Sequence, residues 1–168
     1  HEAVSGRDAI VSLLTDRIDA ATMDAAGEQL KVVANFAVGF DNIDVDAATE
    51  RGIMVTNTPG VLTDATADFA WALMMATARR ISESERFSRA LKYEAWGPLL
   101  MLGGDFVGKT LGIVGAGRIG TAFASRSIGW KMNVIYADEA SNEELENSLG
   151  ARKVDLETLL RESDYVSL

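Results

Sequence analysis

"VGAGRIG", Val114 to Gly120, decides how the rest of the chain is read. Its glycines, Gly115, Gly117 and Gly120, stand in the spacing G-x-G-x-x-G. The flanks give that common spacing its meaning. "TLGIV" ahead of it reads as a buried strand, and Ile119, Ala122 and Phe123 behind it share one face of a helix. Gly115 permits the tight turn, Gly117 lets backbone approach a pyrophosphate, and Gly120 lets the helix pack closely on the strand. The N–H groups of Arg118 and Ile119 fall at the helix N-terminus, where an anion is favoured. In this context the turn is expected to bind a dinucleotide.

An acid completes the pattern. "NVIYAD" (Asn133 to Asp138) reads as the next strand and ends on a carboxylate, roughly 20 residues after the turn, as the dinucleotide fingerprint requires. Asp138 can accept hydrogen bonds from a ribose hydroxyl pair, and with Glu139 it repels a 2′-phosphate. No Arg or Lys follows closely to hold such a phosphate. NAD is therefore expected over NADP. The plainer alternative for Asp138 is a cap on the next loop.

Outward from this turn the chain alternates between strand and helix. "DAIVSLL" (Asp8 to Leu14), "LKVVAN" (Leu30 to Asn35) and "IMVTN" (Ile53 to Asn57) read as strands. "DAATMDAAG" (Asp19 to Gly27) and "DVDAATERG" (Asp44 to Gly52) read as short helices that end at glycine. Beyond the turn, "SNEE" offers a capping box of Ser141 with Glu144, followed by a helix ending at Gly150. "DLETLLRES" is a further helix and "YVSL" (Tyr165 to Leu168) a strand. This alternation predicts an α/β fold with parallel sheets.

The middle of the chain differs. Thr63 or Asp64 can cap a long helix whose core, "FAWALMMA" (Phe69 to Ala76), is apolar on nearly every side. Such a helix is expected to be buried all round, in a core layer or at a subunit interface. Arg79 and Arg80 follow, and a more polar helix continues through "SESERFSRALKYEAW". "WGPLLMLGGDFVGK" (Trp96 to Lys109) has no period and reads as the crossing between two domains.

The chain has 168 residues and a formal net charge of −9. A nucleic-acid partner would want clustered Lys and Arg instead. There are no cysteines, no metal-ligand cluster suggests itself, and no apolar run reaches the roughly 18 residues that cross a bilayer. A soluble, cytoplasmic protein is expected, with no membrane partner. A second candidate site is "NFAVGFDNID" (Asn35 to Asp44), where Val38 and Gly39 could turn backbone N–H groups toward a small anion. On residues alone an ordinary βα turn is the better reading.

The run "VANFAVGFDNIDVDAATERGIMVTNTPGVLTDATADFAWALMMATARR", continued by "GKTLGIVGAGRIG" and "LLRESDYVSL", resembles the D-isomer-specific 2-hydroxyacid dehydrogenases, nearest to their glyoxylate and hydroxypyruvate reductases. The resemblance implies a flavodoxin-like lid (substrate) domain with its connecting helix over residues 1–91. A crossing over 92–104 and the first half of a Rossmann-type NAD-binding domain over 105–168 follow. It implies that Val38 and Gly39 bind the substrate carboxylate and that Leu62 and Thr66 contact the nicotinamide end of the cofactor. Arg118 and Ile119 become pyrophosphate binders. It further implies a homodimer through the Asp64–Arg80 helix and the Trp96 region. It implies a small 2-keto or 2-hydroxy acid as substrate, with a D-lactate or phosphoglycerate dehydrogenase, or an NAD-sensing corepressor, as alternatives. The family's catalytic Arg, Glu and His match nothing here, and the only histidine is His1. The chain is therefore expected to be a fragment, with its catalytic residues beyond Leu168.

Overall fold

The computed structural model describes residues 2–168, so His1 lies outside the described residues. Two compact units divide between Val61 and Leu62, ahead of the 92–104 crossing.

The first unit carries three parallel strands, β1 (Ala9–Ser12), β2 (Val32–Asn35) and β3 (Met54–Thr56), in that order across the sheet. Their connections are α1 (Ala20–Ala26) and α2 (Val45–Glu50). Asp19 and Asp44 start these helices by accepting the N–H groups of Thr22 and Ala47. Gly52, just past α2, has φ +65°, the left-handed conformation a helix stop needs. Ile10, Val33, Met23, Ala48 and Ile53 form the core on one face of the sheet. The other face, with Val11 and Met54, is exposed.

The second unit carries β4 (Thr110–Val114), β5 (Asn133–Ala137), β6 (Arg152–Lys153) and β7 (Tyr165–Ser167). Its sheet order is β6-β5-β4-β7, all parallel. Numbered within the sheet that is 3-2-1-4, the start of the doubly wound dinucleotide-binding order. Helices α5 (Arg118–Ser125), α6 (Glu143–Leu149) and α7 (Leu156–Glu162) make the crossovers. Leu111, Ile113, Phe123, Tyr136 and Leu145 form the core. The α/β class and the parallel sheets expected from the alternation are present.

Several local expectations are corrected. The long helix is two: α3 (Thr63–Ala78) and α4 (Ile81–Arg89). They break at Arg80, which takes a left-handed φ of 53° and turns its guanidinium onto Glu83. The polar helix stops at Arg89 and does not run on to Trp96. Neither Thr63 nor Asp64 caps α3; Leu62 occupies the cap position and makes no side-chain bond. Nor is α3 buried all round. Trp71, Met74 and Met75 pack on the core while Phe69 is 65% and Leu73 52% exposed. Arg126 reaches from the end of α5 to Asp64 and Asp68 and ties α3 to α5 at the surface. The Ser141–Glu144 capping box is also replaced. Asn142 caps α6 by accepting the Leu145 N–H, and its amide nitrogen stays free to donate elsewhere, which a carboxylate could not do. The two-residue β6 has no signal in the sequence that a period could reveal.

Candidate functional site

At the end of β4 the three glycines of 115–120 meet three different surroundings. Gly115 has φ +94°, which side chains rarely adopt. A Cβ on Gly120 would strike the Gly115 carbonyl oxygen and press on Ile113, so α5 can sit this close to β4 only with glycine there. A Cβ on Gly117 would meet nothing within 4 Å. No protein atom requires that glycine; the open space in front of it suits a ligand that needs bare backbone.

Gly117 is the N-cap of α5, and the first bond along the helix runs from the Thr121 N–H to the Gly117 carbonyl. The N–H groups of Arg118, Ile119 and Gly120 therefore lack intrahelical acceptors and carry the positive end of the helix dipole. Thr63, Ala116, Gly117, Arg118, Asn142 and Glu144 are among the residues that line an adjoining cavity of about 520 Å3. Leu62 and Thr66 lie at the start of α3 on either side of Thr63, and the Thr66 N–H bonds the Leu62 carbonyl.

Two side chains from beyond β5 hold this turn. Asp138 Oδ2 accepts the Ala116 N–H at 2.6 Å. Asn142 Nδ2 donates to the Ala116 carbonyl at 2.7 Å and to Thr121 Oγ1 at 2.8 Å. Asn142 is anchored in turn, because its own N–H donates to Tyr136 Oη, and Tyr136 donates to Glu146. Burial pushes the Tyr136 phenol up, opposed by the Asn142 N–H that favours its anion, so it stays a donor. Sequence reasoning missed Asn142, whose partner is 26 residues back. It also missed Lys153. From β6 its Nζ reaches the Glu139 carbonyl at 2.8 Å, putting a cation beside the acids at the end of β5.

The second site lies in the first unit, in the turn after β2. Asn35 is 2% exposed, and Ser12, opposite it on β1, donates to its Oδ1. Asn35 Nδ2 donates to the Gly39 carbonyl at 2.8 Å. Asn57 Nδ2 donates to the Val38 carbonyl at 2.8 Å. The N–H groups of Val38 and Gly39 donate to no acceptor among the described residues.

Residues 1–155 match the family model of the D-isomer specific 2-hydroxyacid dehydrogenase, catalytic domain. The chain is 57% identical to a glyoxylate reductase of Korarchaeum cryptofilum, over 99% of its own length and 50% of that protein's. A Thermus thermophilus protein of known crystal structure superposes with a TM-score of 0.90 at 46% identity, covering 99% of this chain and 52% of that one. The D-lactate dehydrogenase of Aquifex aeolicus, solved with NAD and lactic acid, gives 0.89 at 27% identity, over 99% and 49%. The chain spans about half the length of the curated relatives it matches.

Proposed function

This chain belongs to the D-isomer-specific 2-hydroxyacid dehydrogenase family, and from that premise we propose that it is part of an NAD-dependent glyoxylate/hydroxypyruvate reductase. The observation that carries the reading is the glycine turn. Gly117 is bare where no protein atom needs it to be, and Asp138 stands at the neighbouring strand end. The residues fit a dinucleotide: free N–H groups at the start of α5 for its pyrophosphate, and a carboxylate for its ribose. Leu62 and Thr66 are assigned to its nicotinamide end, and Gly115 and Gly120 shape the turn.

Bound there, the nicotinamide would supply the hydride for the keto carbon. The chain's own residues bind and orient. The N–H groups of Val38 and Gly39 hold the substrate carboxylate, which fixes the keto carbon in place. The proton for the carbonyl oxygen is assigned to residues outside these 168. The higher identity to glyoxylate reductases than to the D-lactate enzyme supports glyoxylate over pyruvate as the keto acid. NAD over NADP rests on Asp138 and Glu139, with Lys153 working against them. The division into lid over 1–91, crossing over 92–104 and nucleotide domain over 105–168 belongs to the same proposal. So do a homodimer and a cytoplasmic location; no helix among the described residues is long and apolar enough to cross a membrane.

The test is turnover by the full-length gene product. Glyoxylate and hydroxypyruvate should be reduced with NADH at a higher kcat/KM than with NADPH. Absence of turnover with either cofactor would sink the reading.

A further inference from the structure

Three successive peptide units in the turn after β2 are held by their carbonyls. The Ala37 carbonyl accepts the Thr58 N–H at 2.8 Å. The Val38 carbonyl accepts from the Asn57 side chain and the Gly39 carbonyl from the Asn35 side chain, each at 2.8 Å. A trans peptide puts its N–H opposite its C=O. Fixing these oxygens therefore turns the N–H groups of Val38, Gly39 and Phe40 away from the donors that hold them. None of the three donates to an acceptor among the described residues.

The two holding amides are secured to different degrees. Asn35 is buried, takes the Ser12 hydroxyl at 2.9 Å, and donates to Asn42 Oδ1 at 3.1 Å. Asn42 donates in turn to the Leu13 and Asp16 carbonyls at 3.1 and 3.0 Å. Asn57 is half-buried, and its side chain has one partner among the described residues, the Val38 carbonyl. The single bond of this half-buried amide fixes the peptide that carries the Gly39 N–H.

We propose that Asn57 and Asn35 are positioning residues for carboxylate recognition, and that Phe40 N–H is a third donor to the same anion. The proposal rests on the reading of Val38 and Gly39 as the carboxylate site. Neither asparagine touches substrate; each acts through the peptide it holds. Loss of such a bond is expected to appear in substrate affinity, not in the hydride step.

The experiment uses the full-length protein and two readouts: steady-state kinetics with glyoxylate, and calorimetric binding of oxalate, a dicarboxylate that is not reduced, at saturating NADH. Asn57→Ala should raise KM and the oxalate Kd together, by about fivefold to tenfold. It should change kcat by less than about twofold and leave NADH affinity alone. Asn57→Asp keeps the shape but has no N–H to give, and should raise both constants further. It carries the same conclusion should Asn57→Ala fail to fold. Unchanged KM and oxalate Kd in a wild type that does reduce glyoxylate would overturn the positioning role and leave the enzyme reading standing. Oxalate binding weakened by Asn57→Ala in a protein that reduces no keto acid would do the reverse. A fall in kcat alone would also overturn the proposal.

Discussion

The carboxylate of Asp138 accepts the N–H of Ala116, 22 residues back, at 2.6 Å. The acid proposed to read the ribose thus also closes the glycine turn that would hold the pyrophosphate. The two jobs cannot be separated by a single substitution. Asp138→Ser should lower kcat/KM for NADH by about tenfold, the usual cost of losing a charge-assisted bond. Adding Glu139→Arg should narrow or reverse the preference for NADH, helped by Lys153 beside it. If the unmodified enzyme prefers NADPH, the reading of this strand end is wrong.

Gly120 and Gly117 should fail in different ways. Gly120→Ala drives a methyl into the Gly115 carbonyl, so α5 must move off β4. A cost of about 1–3 kcal/mol in thermal unfolding is expected. Gly117→Ala meets open space and should cost less than about 1 kcal/mol as an N-cap change. Cofactor affinity, followed by NADH fluorescence, should nevertheless fall in both. A Gly117→Ala protein that binds NADH as tightly as wild type would remove the ligand argument for that glycine.

Much of this was legible in advance, and the reason is local. The segments read as helices from Asp19, Asp44 and Asp155 start where expected because each aspartate acts on the residue three ahead, and the glycine turn acts within its own seven residues. What escaped was long-range. Asn142 caps α6 as sequence logic allows, but its second task, holding Ala116 and Thr121, comes from β5 lying next to β4. Lys153 looked remote from Asp138 until β6 paired with β5. The burial of α3 was misread because apolar residues on every side say what a helix can cover. They do not say what covers it.

Asp164 makes an acid-sensitive tie between β7 and β4. Its carboxylate is held below the usual value of 3.8, first by the Thr110 N–H and then by the Lys109 ammonium. A carboxylate lowered in the folded state adds stability that is complete above its ordinary value. That stability is lost as the pH falls through the lowered one. Lys109 is raised by the same partner, so its share is complete below 10.5 and lost as the pH rises through its higher folded value. Asp164→Ala should therefore lower the melting temperature near neutral pH, and the gap from wild type should close in strong acid. A gap independent of pH would mean that the charge contributes nothing.

The final prediction concerns α3. Its inner side packs on Phe106 and Phe123 through Trp71, with ring centroids 6.4 and 5.3 Å apart. Its outer side leaves Phe69 65% and Leu73 52% exposed, and Trp96 is 79% exposed. Burying one such side chain fully is worth about 1.5–3 kcal/mol, so a surface of this kind favours association. We expect the full-length protein to scatter light as a homodimer at micromolar concentration. Phe69→Glu with Leu73→Glu should shift it to monomer while circular dichroism and the melting transition persist. A wild-type monomer would end the proposal. So would a double variant that stays dimeric, because the dimer would then be made through another surface.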